Sequence, residues 1–169
     1  WRTLTVAFIL MFARFSEAFV TLHAKALGWS VLMLPTLLLA NQMIQTFVTF
    51  PLGILADGVF SRKRMLLLGF AVLLVGDLRL LTAETGMDCM VGFLLVGLHM
   101  AMTQSNLKAT LSASLPPQLR GTGFSIVAIV EGVALAFANM LAGRLCDLFG
   151  SQGAFYSGGV AATAAIVAG

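Results

Sequence analysis

The sequence has 169 residues, of which 59% are apolar and 10% are charged, and its mean hydropathy is +0.98. Soluble domains carry about 25% charged and about 45–50% apolar residues, so this composition excludes an ordinary water-soluble fold and favours a membrane protein. The net charge of +3 is too small and too scattered for a nucleic-acid surface. The two cysteines, without CxxC spacing, indicate free thiols rather than a disulfide framework or a metal site.

Six apolar stretches follow one another along the chain, separated by polar or turn-forming residues. An apolar stretch of about 20 residues can cross the hydrocarbon core as a helix. The stretches cover residues 3–22, 31–56, 65–81, 89–110, 123–146 and 152 onwards. They predict an all-α, polytopic membrane bundle in which residues 1–169 form one transmembrane domain. Because the chain begins without methionine and stops within the sixth stretch, we expect it to be a fragment.

The basic residues near the span ends predict the orientation of the bundle. One side carries Arg2, Arg62, Lys63, Arg64, Lys108 and Arg120. The other side carries Lys25, Arg79 and Arg144 together with Glu84, Asp88 and Asp147. Cytoplasmic loops are enriched in Lys and Arg, so we expect the first side, and with it both chain ends, to lie in the cytoplasm.

A short echo links the second and fifth spans. The second ends in Gly-Ile-Leu-Ala-Asp at 53–57, and the fifth ends in Gly-Arg-Leu-Cys-Asp at 143–147. Both read G-x-L-x-D at the end of spans that run in opposite directions. An inverted repeat of three helices plus three helices, common in secondary transporters, has this property.

Polar side chains from four different spans fall close to the bilayer midplane. The predicted substrate or proton pathway consists of Arg14, Glu17, Asn41, Gln45, His99, Thr103, Asn106 and Glu131. Ionisable groups at this depth cost about 2.5–3.5 kcal/mol on insertion scales and tend to face a cavity or a partner. A polar cavity is therefore predicted.

Structural explanations remain open for each of these groups. Arg14 and Glu17 can neutralise each other within one helix, and His99, Asn41 and the glutamines can hydrogen-bond between helices. Glu131 has no partner nearby in sequence, which favours a carboxyl group that takes up and releases a proton; the alternative is an interhelical hydrogen bond.

Three further features complete the pattern. Asp77 and Arg79 fall near the outer end of the third span, where snorkelling or local pairing is expected. Small residues fill two stripes of the fifth span, which predicts a tight helix contact there. The sixth span has no charged residue and is expected to face lipid.

Residues 51–64, reading Pro-Leu-Gly-Ile-Leu-Ala-Asp-Gly-Val-Phe-Ser-Arg-Lys-Arg, resemble the signature loop of the major facilitator superfamily. The family pattern is roughly G-x-L-A-D-R-x-G-R-R/K. The matching positions are Gly53, Leu55, Ala56, Asp57 and Arg62. Gly58, Phe60 and Ser61 depart from the pattern, which retains the Asp57 end of its charge relay but not the whole of it.

Two other stretches resemble the same family. Residues 14–19 look like the first helix of the second half in a group of bacterial members, and residues 115–150 look like the tenth-to-eleventh helix region. The resemblance implies the C-terminal six-helix half of a transporter, in the bacterial inner membrane. It also implies that the partner is a missing N-terminal half, that spans one and four line the cavity, and that spans two and five form the interface between the halves. Gly53, Leu55, Asp57 and Arg62 would then form a gating motif.

The favoured function is secondary active transport of a small solute by alternating access, coupled to protons through Glu131 or Glu17. The alternatives are a channel or a non-transporting scaffold or receptor, and an enzyme. The sequence has no channel-type filter segment and no HExxH, GxSxG or phosphate-binding glycine loop, so neither an enzyme nor a cofactor is expected. Uptake and efflux are both open, as is the solute.

Overall fold

The computed structural model describes residues 2–14, 16–58 and 61–168, and every regular element in these ranges is helical. The helices are α1 (Arg2–Phe12), α2 (Glu17–Ala26), α3 (Leu34–Gly58), α4 (Arg62–Leu81), α5 (Gly86–Ser114), α6 (Arg120–Phe149) and α7 (Gly153–Ala168). Short 3-10 turns at Val31–Met33 and Pro117–Leu119 lead into α3 and α6. The all-helical prediction is confirmed.

The first predicted span differs from expectation, because it is two helices rather than one. Helix α1 ends at Phe12 and α2 begins at Glu17, although the apolar stretch continues across the gap. Helices α3 to α7 follow the other five predicted stretches. Their ends extend into the flanking polar residues, as at Arg62 for α4 and Gly86 for α5.

Four segments of the described chain are long and apolar enough to cross a membrane. They are Ala7–Ala26, which contains the gap, and Val31–Ala56, Gly86–Ser114 and Pro117–Phe149. Helix α4 is not among them and carries Arg64, Asp77 and Arg79, and the described part of α7 has 16 residues. A multi-pass membrane protein follows from the four qualifying segments.

The start of α5 is fixed by a reciprocal capping box. The Thr85 hydroxyl donates to the Asp88 carboxylate (2.6 Å), as does the Thr85 backbone N–H (3.1 Å), and the Asp88 N–H donates back to the Thr85 hydroxyl oxygen (3.2 Å). The bonds from Thr85 hold the pKa of Asp88 below its usual range.

Helices α4 and α5 pack antiparallel through glycines that allow their backbones to approach closely. A Cβ atom on Gly92 would lie 2.8 Å from Leu80 Cγ and 3.2 Å from the Gly76 carbonyl oxygen. Nearer the other end of the pair, a Cβ on Gly69 would collide with Thr103. Any larger residue at these glycines would force the two helices apart.

Helix α5 lies at the centre of the bundle, in contact with α4, α3 and α2, and α1 packs along α6. The largest core cluster includes Leu10, Leu73, Phe93 and Phe155 and joins most of the helices. A smaller cluster is formed by Ala7, Leu107, Leu111 and Val127. It lies at the end of the bundle that carries Arg62–Arg64, Lys108 and Arg120, which we call the basic end; the opposite end carries the α4–α5 loop.

Helices α3 and α6 leave long apolar faces uncovered. The exposed large side chains include Leu39, Met43, Phe47 and Phe50 on α3, and Ile129, Val133, Phe137 and Met140 on α6. An open apolar groove of about 510 Å³ runs along α3. Of the two small-residue stripes of α6, Ala134, Ala138 and Ala142 are buried, whereas Ala128, Gly132 and Ala136 are exposed, so the tight contact forms on one stripe.

Replacing Gly92 by valine is expected to destabilise the α4–α5 pair. Overpacking of this kind costs about 1–3 kcal/mol, so the melting temperature of the detergent-purified protein should fall. Gly132→Val is the matched control, because nothing lies within 4 Å of a Cβ at Gly132. Equal melting temperatures for the two variants would contradict the close α4–α5 packing.

Candidate functional site

The gap between α1 and α2 lies near the middle of the first span and is a built feature of the chain. The Ala13 N–H still bonds to the Ile9 carbonyl (2.9 Å) and the Arg14 N–H to the Met11 carbonyl (3.3 Å), which closes α1. Ser16 then caps α2: its backbone is extended, and its hydroxyl oxygen accepts from the Ala18 N–H (3.3 Å). The break thus has a defined end and a defined start.

Asn139 of α6 holds the break from outside the first span. Its Oδ1 accepts a 2.8 Å hydrogen bond from the backbone N–H of Ser16. That N–H belongs to an N-cap residue and has no partner within its own helix. An unpaired backbone group in an apolar environment costs several kcal/mol, so Asn139 stabilises the break directly.

The break presents Arg14 and Glu17 to the centre of the bundle. The Arg14 Nη2 lies 3.8 Å from the Glu17 Oε1, and the two side chains are 18% and 31% exposed. Asn41 of α3 donates from Nδ2 to the same Oε1 at 3.5 Å. Three predicted site residues from two spans therefore meet at one carboxylate oxygen.

The close approach of Asn41 depends on a glycine of α5. Asn41 is fully buried, and a Cβ atom on Gly97 would collide with its Oδ1. Within the described chain this Oδ1 has no hydrogen-bond partner. Gly97 therefore lets α3 and α5 come together with an amide between them, aimed at Glu17.

Glu131 of α6 completes the charged cluster. Its half-buried carboxyl group lies within electrostatic range of the Arg14 guanidinium and of Lys108, which is exposed. Arg14 is therefore the cation that Glu17 and Glu131 share. We call Arg14, Glu17, Asn41 and Glu131 the charged cluster.

The three predicted residues of α5 point toward α4 instead of meeting this cluster directly. A 2.8 Å bond joins His99 Nδ1 to the Gly69 carbonyl, and the ring packs on Phe70. Thr103 donates to the His99 carbonyl (2.7 Å), and Asn106 Nδ2 donates to the Arg62 carbonyl (2.8 Å). Only His99 also lies within electrostatic range of Arg14.

Gln45 and the residues of the predicted gating motif lie away from the cluster. Gln45 Nε2 donates to the Gln42 side-chain oxygen (2.9 Å) on the exposed surface of α3. Gly53 and Leu55 occupy the last turns of α3, with space around Gly53. Asp57 belongs to the last turn of α3, its side chain lying outside the described residues, and Arg62 begins α4.

Asp77 contradicts the expectation that it snorkels or pairs with Arg79. It is fully buried, and neither carboxylate oxygen has a hydrogen-bond partner in the described part of the protein. Asp77 directly follows Gly76, on the packed side of α4, whereas Arg79 lies two residues further on the exposed side. The helix register separates the two charges.

The charged cluster combines one cation, two carboxylates and one amide in surroundings that are otherwise apolar. Such groups can hold a small polar solute or exchange a proton. No group of three or more His, Cys, Asp or Glu residues that could hold a metal ion occurs in the ranges described.

Sequence reasoning missed three contributors to this site. The break itself was signalled by Ser16, a favoured N-cap residue directly before Glu17, but the continuous hydropathy concealed it. Asn139 shares a helix with Glu131, yet nothing in the sequence pairs it with Ser16. Gly97 could be recognised only from the contact that it permits.

The fold and the cluster agree with the comparison of the sequence with known families. The sequence matches the Major Facilitator Superfamily over residues 3–169, nearly the whole chain. A search of curated proteins finds no match. The chain therefore belongs to the Major Facilitator Superfamily and is part of a multi-pass membrane transporter.

Proposed function

We propose that the protein is a secondary active transporter that moves a small solute by alternating access, and that this chain is its C-terminal six-helix half. The observation that carries the proposal is the charged cluster at the break of the first span. Arg14 and Glu17 lie near the middle of a predicted span, and Asn41 and Glu131 reach them from α3 and α6. Four costly polar groups at one depth favour a solute or ion pathway over inert packing.

The charges within the cluster favour proton coupling. Arg14 carries one positive charge, and Glu17 and Glu131 together carry two negative charges when ionised, so one negative charge is left over within the cluster. Lys108 is exposed, so its field at Glu131 is weakened by its surroundings. A proton on one carboxyl group restores neutrality, and so does a cationic group of the solute. Proton and solute then compete for one charge, which is a mechanism for exchange.

The break in the first span is a hinge of the kind that alternating access requires. Non-helical backbone at membrane depth occurs where it lines a cavity, as in the discontinuous helices of other secondary transporters. The bond between Ser16 and Asn139 joins this hinge to α6. A movement of α6 relative to the first span would break that bond and release α2.

The gate on the basic side is proposed to involve Asp57, with Gly53, Leu55 and Arg62. A carboxylate at this helix end can interact with the positive end of a neighbouring helix dipole. The carbonyl of Arg62 accepts from Asn106, which connects the start of α4 to the cavity-side helix α5. Movement at this loop would therefore be transmitted to α5.

The exposed apolar faces of α3 and α6 are proposed to pack against the N-terminal half of the transporter. Together they present more large hydrophobic residues than the other helices of the described chain. The positive-inside rule places the basic end in the cytoplasm. We propose the bacterial inner membrane as the location.

Glu131→Gln is expected to abolish uptake driven by a pH gradient while leaving solute exchange intact. The glutamine is neutral at every pH and can no longer release a proton. The measurement is uptake of a panel of labelled small solutes by proteoliposomes that contain the full-length transporter. It is made with and without an imposed pH gradient and then as exchange at equal pH.

Glu84→Gln, in the exposed α4–α5 loop, is the matched control and should behave as wild type. Gradient-driven uptake at the wild-type rate by Glu131→Gln would overturn the coupling role. Failure of the wild type to transport any solute of a broad panel would count against the transporter proposal itself.

Asn139→Leu should loosen the hinge, because the Ser16 N–H loses its acceptor. An unsatisfied buried donor costs about 1–3 kcal/mol, and the amides of residues 16–19 should exchange hydrogen faster. Asn139→Asp keeps an acceptor oxygen and should retain slower exchange. Mass spectrometry of the exchanged peptides measures this, and equal exchange for wild type and Asn139→Leu would refute the hinge bond.

Asp57→Asn is expected to lower turnover by roughly tenfold, since a partly buried charge–dipole contact contributes up to about 2 kcal/mol. Asp147→Asn provides the control. It occupies the matching position of the second G-x-L-x-D segment, at the exposed opposite end. Normal turnover of a correctly inserted Asp57→Asn protein would remove the gating assignment.

A further inference from the structure

A second group of buried titratable residues lies at the opposite end of the bundle, apart from the charged cluster. Asp77 of α4 is 0% exposed, and neither Oδ1 nor Oδ2 has a hydrogen-bond partner among the described residues. It faces the interior together with Leu73 and Leu80, one turn away on either side. A bare carboxylate in such surroundings is one of the most costly arrangements in a protein.

His23 of α2 lies at the same junction. Its ring is 1% exposed and packs edge-on against Phe155 of α7, with ring centroids 5.2 Å apart. Nδ1 is 3.0 Å from the Ser151 hydroxyl oxygen, before α7, and Nε2 has no partner in the described chain. The ring is thus fixed on one side and polar, but unpaired, on the other.

Leu80 connects the two residues. Its backbone carbonyl lies beside the His23 ring, and it follows Asp77 by three positions on the same helix. Side chains separated by three positions lie about 5–6 Å apart at Cβ. The unpaired Nε2 and the two unpaired carboxyl oxygens therefore belong to one buried junction of α2, α4 and α7.

The unpaired atoms are complementary when a single proton is present. A neutral Asp77 has one O–H donor, and a neutral imidazole that donates from Nδ1 to Ser151 has an acceptor at Nε2. With no proton the junction holds an uncompensated negative charge; with two it holds an uncompensated positive charge. Both charged forms carry the desolvation cost that the neutral form avoids.

We propose that Asp77 and His23 form a second proton-binding site, which holds one proton on the Asp77 carboxyl group with His23 as its hydrogen-bond acceptor. The site is independent of the coupling role proposed for Glu131. Opening of this end of the bundle would admit water, stabilise the carboxylate and release the proton. A proton would then be bound when this end is closed and released when it is open.

The surroundings favour a proton over a metal cation and over an ordinary ion pair. On α4 itself Arg79 is exposed, and Lys25 beyond His23 is also exposed. Asp88 of α5 is engaged by Thr85, and the Cys89 thiol donates to the Val20 carbonyl (3.8 Å). On α7, Tyr156 packs against Phe149 at the exposed surface.

None of these groups supplies Asp77 with a positive charge, and desolvation is the effect that acts on its carboxyl group. Metal cations require several oxygen or nitrogen ligands. One carboxylate and one imidazole do not provide them.

Infrared spectroscopy of the full-length transporter in lipid nanodiscs tests the proposal without any knowledge of the solute. A protonated carboxyl group absorbs separately from a carboxylate, so wild type should show a protonated band at neutral and at mildly alkaline pH that Asp77→Asn lacks. Asp147→Asn, which alters an exposed carboxylate, should leave the band unchanged. His23→Leu removes the acceptor and should shift the band to the frequency of a carboxyl group without a hydrogen bond.

Two results would overturn the proposal. Identical protonated bands in wild type and Asp77→Asn would show that Asp77 carries no proton. An unshifted band in His23→Leu would show that His23 is not its acceptor. If Asp77→Asn fails to fold, wild type grown on isotope-labelled aspartate provides the same test, because a band that does not shift with the label cannot arise from an aspartate.

Discussion

The hydrogen bond from the Ser16 N–H to the Asn139 side chain is the contact on which the charged cluster depends. In a bilayer, backbone groups must find partners within the protein, so a helix can be interrupted only where another element supplies them. Ser16 caps α2 with its own hydroxyl, and Asn139 of α6 accepts its N–H. Because of this interruption, Arg14 and Glu17 leave the regular helical surface at the centre of the bundle and become available to α3 and α6.

The helices around this point differ in how fully they are packed. Helix α5 is the most buried and lies against α4 across a row of glycines, so these two helices form a closely fitted pair. Helices α3 and α6 each contribute one polar residue to the cluster, Asn41 and Glu131, but expose long apolar faces elsewhere. The polar centre therefore lies between a tightly packed side and a side that offers hydrophobic surface to another partner.

Hydropathy and the spacing of charges were sufficient to predict the helical class, the positions of α3 to α7 and the meeting of Arg14, Glu17, Asn41 and Glu131. These features depend on local sequence and on depth in the membrane, which a sequence records directly. The direction in which a side chain points around its helix is different, because it depends on which neighbour packs where. That is why His99 was expected in the cavity and is found bonded to Gly69 of α4, and why Asp77 was expected at the surface and is buried.

The break was missed for a related reason. Residues 13–16 contain nothing that forbids a helix, and the interruption is stabilised by a partner more than 100 positions away in the chain. Long-range contacts through glycines, such as Gly97 against Asn41, are equally invisible to a reading of composition. What the sequence carries locally was readable, and what two distant segments carry together was not.

The glycine contact between α4 and α5 also bears on how the chain enters the membrane. Helix α4, with Arg64, Asp77 and Arg79, is not one of the segments apolar enough to cross a membrane by itself, whereas α5 is. The α4–α5 loop is short, and the two helices fit face to face at Gly76 and Gly92. We therefore expect α4 and α5 to be inserted by the translocation machinery together, as a helical hairpin, with α5 providing the partition energy that α4 lacks.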